Sequence, residues 1–78
     1  MDGFTQKEAA GKVGMVVKNE QGPWGIVFNS LQDLATGEWL VVIKWSIAGG
    51  PLSFGSYPKR RYEEFVEVRW REEQVIFP

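Results

Sequence analysis

This sequence predicts an all-β fold, a small barrel of five short strands. Three observations carry that reading. Apolar and polar residues alternate along several short runs. Breaks containing Gly or Pro separate the runs. β-branched and aromatic residues crowd the longest run, "EWLVVIKWSI". At 78 residues the chain makes one domain, residues 1–78. A chain of this size buries only about 60% of the surface its unfolded form exposes. The core must be dense, and 44% apolar residues, with four Trp, two Tyr and five Phe, supply it.

Residues 1–10 read as an irregular N-terminus. In "KVGMVVKN", Val13, Met15 and Val17 share one face, and Gly14, Val16 and Lys18 the other. "EQGP" makes a turn, and "WGIVFN" follows with Trp24, Ile26 and Phe28 together, so this stretch is a hairpin. "NSLQDLATG" reads as a long, partly packed loop, with Ser30 capping a helical turn that carries Leu31 and Leu34 and ends at Gly37.

The longest run places Trp39, Val41, Ile43, Trp45 and Ile47 on one face. Leu40 and Val42 make the other face apolar too, the mark of a central strand covered on both sides. "AGGP" is a turn, and "LSFGSY" a fourth strand in which Gly55 marks a bulge or bend and Pro58 the end. "KRRYEEF" forms one helical or 3₁₀ turn with Tyr62 and Phe65 on the same side. "FVEVRW" sends Val66, Val68 and Trp70 inward and Glu67, Arg69 and Arg71 outward. "EEQVIFP", residues 72–78, is a tail strand beyond the barrel.

These elements, with a single helical turn before the last barrel strand, resemble a small SH3-like barrel. An OB-fold is the near rival, but "AGGP" leaves no room for its helix. "GKVGMVVKNEQGPWGIVF" resembles the second half of a KOW motif at Gly11, Gly14, Val16 and the strand after the turn. That Gly-rich hairpin belongs to SH3-like domains of ribosomal proteins and transcription elongation factors. The wider pattern "VGMVV…WLVVIKW…YEEFVEV" is similar to the small photosystem I reaction-centre subunit type. Both resemblances imply a fold and no more. Plasmid-type dihydrofolate reductases, SH3-like barrels of this length, carry a pore-lining Val-Gln-Ile-Tyr segment. The nearest text here, "QVIF" at residues 74–77, has another order and lies past the last barrel strand, so that enzyme reading is set aside.

Composition narrows the chemistry. Without histidine or cysteine the chain can build neither a histidine-based triad nor a Cys/His zinc site. The adjacent pairs Glu63–Glu64 and Glu72–Glu73 point to opposite faces of any strand and do not converge on a substrate. "AGGPLSFG" leads into a strand, not into the helix N-terminus that a phosphate loop needs. No catalysis, cofactor or metal is expected. The start "MDGFTQKEAAGKV" lacks the basic residues and apolar run of a signal peptide, and no stretch approaches the roughly 20 apolar residues of a membrane helix. A soluble cytoplasmic protein is the expectation, and the absence of cysteine suits it.

Net charge is −1, but residues 59–78 hold ten of the nineteen charges, five of each sign. The candidate binding residues are Trp24, Trp39, Tyr57, Lys59, Arg60, Arg61 and Tyr62. Trp24 either begins the core of its strand or stands out as an aromatic platform. Trp39 and Trp45 lie too far apart along a strand for both to sit deep in one small barrel, so at least one lies near a barrel mouth. The cluster at Tyr57 and residues 59–62 is either a solvated loop balanced by Glu63 and Glu64 or a contact for phosphate or an acidic partner. Val75, Ile76 and Phe77 are candidates for self-association: the tail pairs with the strand at residues 13–18 of its own chain, or adds to that edge of a second copy and makes a homodimer. The expected function is a non-enzymatic module that binds a protein. The alternative is an RNA- or ribosome-binding module using the KOW-like hairpin, Lys12, Lys18 and the cations at positions 59–61.

Overall fold

The computed structural model describes residues 3–20, 22–46 and 53–68. In chain order these form α1 (Gln6–Gly11), β1 (Val16–Lys18), β2 (Trp24–Gln32), β3 (Trp39–Ser46), β4 (Ser53–Tyr57), α2 (Lys59–Tyr62) and β5 (Val66–Val68). All five strands join one antiparallel sheet in the order β4-β3-β2-β1-β5. The fold is all-β, as the alternation predicts.

β3 is paired on both sides, with β2 and with β4. Its central place in the sheet holds, but the expected cover on both faces does not among the described residues: Val41, Ile43 and Trp45 are buried on the core face, whereas on the other Val42 is buried beside half-buried Leu40 and Lys44 and exposed Ser46. The core unites Val41, Ile43 and Trp45 with Phe4, Ala9, Val17, Val27 and Tyr62, and Met15, Trp39, Tyr57 and Phe65 pack around it. Trp45 is buried whereas Trp39 is half-buried, so the two tryptophans do divide between centre and margin. α2 turns Tyr62 into the core and sets Phe65 beside it, the rings 6.4 Å apart and edge to face.

Residues 6–10, expected to be irregular, belong to a helix. The Thr5 hydroxyl accepts the Glu8 backbone N–H at 3.1 Å and Glu8 Oε1 accepts that of Thr5 at 2.9 Å. This reciprocal cap starts α1. The helix then buries Ala9, and Phe4 ahead of it bridges to Trp39. Val13 falls after the helix and is exposed, so only Met15 and Val17 of its expected face turn inward.

The long loop expected after Asn29 is absent. A register shift between Val27 and Asn29 bulges β2, which then runs on to Gln32 opposite Trp39. The turn is at residues 33–38, where Asp33 N–H donates to Glu38 O at 2.8 Å and Gly37 N–H to Asp33 O at 2.6 Å. Gly37 has φ +76°, which its missing Cβ permits. Leu34 stands at the exposed tip, and Ser30 caps no helix but lies within β2.

Gly55 is neither bulge nor bend, since pairing with β3 is unbroken through Ile43↔Gly55. The Tyr57 ring lies over it where a Cβ would go. β5 is inverted relative to expectation: Val66 is exposed and Glu67, paired with Val17, lies on the inner face. β1 is paired on both sides, with β2 and β5, which closes residues 16–18 to the tail pairing expected there. Ile47, the "AGGP" turn, Arg69, Trp70, Arg71 and the tail with Val75, Ile76 and Phe77 lie outside the described residues. No helix among the described residues is long and apolar enough to cross a membrane.

Candidate interaction face

Cross-strand partners in an antiparallel pair project to the same side. One row therefore runs Val68, Val16, Ile26, Lys44, Phe54 across all five strands, and the next runs Val66, Lys18, Trp24, Ser46. Both rows lie on the side away from the core. Trp24 is 46% exposed, Ile26 41%, Phe28 45% and Phe54 59%. Of the two readings of Trp24, the one that begins the core is overturned: its side chain is exposed.

Two glycines explain the reversal. Gly25 faces inward, where a Cβ would come within 2.7 Å of Ile43 Cγ2 and Trp45 Cε3. Trp45 occupies that space, so the neighbours Trp24 and Ile26 project outward. β4 repeats the device, with Gly55 inward beneath Tyr57 and Phe54 outward. Phe28, at the β2 bulge, keeps the alternation and lies on the same side, edge-to-face with Phe54 at 5.3 Å. Sequence reasoning missed Ile26, Phe28 and Phe54 as a surface. The legible signal was an aromatic residue followed by glycine in both "WG" and "FG".

Between Val16, Trp24, Gly25, Ile26, Lys44 and Ser46 lies a shallow depression of about 240 Å³. Small-molecule pockets run to about 300–1,000 Å³ and enclose their ligand, so this hollow suits a protein side chain. The Lys18 ammonium stands 5.7 Å from the Trp24 ring centroid, a cation–π contact. Lys18 and Lys44 are the only charged residues on the two rows among the described residues.

The cluster expected at positions 57–62 does not assemble into one surface. Tyr62 is buried, and its hydroxyl donates to Glu67 Oε2 at 2.7 Å, the same oxygen that Lys12 Nζ reaches at 2.6 Å. Tyr57 is half-buried and accepts the Trp45 indole N–H at 2.9 Å. Lys59 faces Glu8 at 3.9 Å and Arg60 pairs with Glu38 at 2.9 Å, while Arg61 is exposed. The hydrogen bond from the Thr5 backbone, then the charge of Lys59, hold the Glu8 carboxyl below its ordinary value. An open groove of about 540 Å³ passes Phe4, Lys12, Lys59 and Tyr62, but Glu63 and Glu67 line it as well. Among the described residues, no three of His, Cys, Asp and Glu gather as a metal site.

Among the described residues, the sheet face around Trp24 is thus the place where large apolar side chains stand together in solvent beside cations with no carboxylate on their rows. Compared with known families, curated proteins and solved structures, the chain matches none.

Proposed function

We propose that this chain is a small non-enzymatic module, an SH3-like barrel, that binds a protein partner through the outer face of its sheet. The fold part rests on connectivity: consecutive strands pair in a meander, the last returns to the first, and one helical turn precedes the last. The functional part rests on one observation, the continuous exposure of Trp24, Ile26, Phe28 and Phe54. Exposed apolar patches rimmed by polar residues mark interaction sites, and Trp anchors are enriched at binding hot spots. The reducing cytoplasm suits the cysteine-free chain.

A pull-down from host lysate tests the reading. The variant Trp24→Ala/Phe54→Ser should lose partners retained by the wild type while keeping its melting temperature. Identical captured proteins would sink it. The RNA reading has its own support, because Trp24, Phe28 and Phe54 beside Lys18 and Lys44 have the composition of a stacking platform. Salt-dependent retention of RNA separates the two.

A further inference from the structure

We infer that the partner segment seated on this face carries carboxylates beside apolar side chains, an inference that rests on reading the face as a protein-binding surface. The argument is charge complementarity. The rows that cross the sheet hold two ammonium groups and, among the described residues, no carboxylate. Lys44 lines the depression between Ile26 and Phe54, and Lys18 is held over the Trp24 ring at the far side of the same hollow. An apolar side chain entering between them brings its neighbours within reach of both cations.

Of the other described cations, Lys12 pairs with Glu67, Lys59 with Glu8 and Arg60 with Glu38, and Lys7 and Arg61 sit on α1 and α2, off these rows. This decides between occupants of opposite character. Nucleic-acid affinity grows with the number of phosphates neutralised, and two lysines on a chain of net charge −1 neutralise few. The aliphatic half of the face, Val16, Ile26 and Val66, offers nothing for a base to stack on, but it packs well against side chains. A second copy docked face to face would bring the lysines of both copies into one interface, a like-charge juxtaposition that is penalised.

The test uses the full chain, two synthetic hexapeptides and an oligonucleotide. One peptide is Glu-Glu-Leu-Phe-Glu-Glu, the other Lys-Lys-Leu-Phe-Lys-Lys, and the oligonucleotide is oligouridylate. Binding is read from the Trp24 indole N–H resonance and its dependence on salt. The acidic peptide should bind at least about tenfold more tightly than the basic one, weakening with salt. Lys18→Glu/Lys44→Glu should reverse that order, and Lys18→Gln/Lys44→Gln should abolish the preference without reversing it. The neutral pair keeps the test decisive if the charge reversal fails to fold.

Equal binding of both peptides overturns the inference and leaves the protein-binding reading in place. Oligouridylate binding more tightly than either peptide overturns both. Silence from all three probes, with dimerisation that perturbs Trp24, assigns the face to a second copy and also overturns the inference.

Discussion

Trp45 donates its indole N–H to the Tyr57 hydroxyl at 2.9 Å while the two rings meet edge to face, 6.2 Å apart at 84°. This single pair joins β3 to β4 inside the core, above the glycine whose missing Cβ makes room for it. Trp45 is 6% exposed, so water is poorly placed to replace the hydroxyl. Tyr57→Phe keeps the ring contact and strands the indole donor, which should cost about 1–3 kcal/mol in denaturant unfolding. An unchanged midpoint and slope would show that the bond carries no weight.

Gly25 makes a complementary prediction about space. Gly25→Ala drives a methyl group to within 2.7 Å of Ile43 and Trp45. Overpacking of this kind costs about 1–3 kcal/mol. The same substitution at Gly11, which has open space around it, provides the control. Equal melting temperatures for the two variants would contradict the packing around Trp45.

Lys12 and Glu67 form an ion pair whose side chains are 28% and 19% exposed, with the buried Tyr62 hydroxyl on the same carboxylate oxygen. Exposed pairs are worth about 0.2–1 kcal/mol. A double-mutant cycle with Lys12→Ala and Glu67→Ala should give a coupling above that range, because both partners are shielded and share a hydrogen-bond network. A coupling near zero would reduce the pair to surface decoration.

Glu8 predicts a pH dependence whose sign is fixed. Its carboxyl is held below the ordinary value by the Thr5 backbone hydrogen bond first and Lys59 second. The charged form therefore stabilises the folded chain above the unfolded value of about 4.3, and that contribution disappears as pH falls through the lower folded value. Glu8→Gln should melt below the wild type at pH 7, and the two should converge under acid conditions. Parallel curves down to low pH would remove Glu8 from the account.

Alternation in the sequence tells which residues share a face, but not which face is inside. The central place of β3 was legible in its long β-branched and aromatic run, though not which of its faces is covered, and Tyr62 with Phe65 because their spacing marks one side of a turn. Trp24, Ile26 and Phe28 were correctly grouped, yet their direction depends on Trp45 filling the space over Gly25, a contact between strands. Glu67 read as outward because a carboxylate alone favours water. Its partners Lys12 and Tyr62 reach it from other elements, one of them 55 positions away. α1 was signalled by Thr5 and Glu8 at capping-box spacing, an interaction that leaves no trace in the alternation of apolar and polar residues. Of the residues singled out for binding, only Trp24 lies on the apolar face, because the hydroxyls of Tyr57 and Tyr62 found partners that let their rings turn inward.

The place of β1 between β2 and β5 also sets an order of events during synthesis. β2, β3 and β4 pair with their chain neighbours and can zip together as they emerge from the ribosome. β1 pairs early with β2, but its other edge waits for β5, the last described strand. Long-range pairing of this kind slows folding, because the loop must close before the contacts reward it. A nascent chain halted upstream of Val66 therefore keeps an unpaired β1 edge and lacks the carboxylate that engages Lys12 and Tyr62. Truncated translation products of this protein are expected to add to one another along that edge.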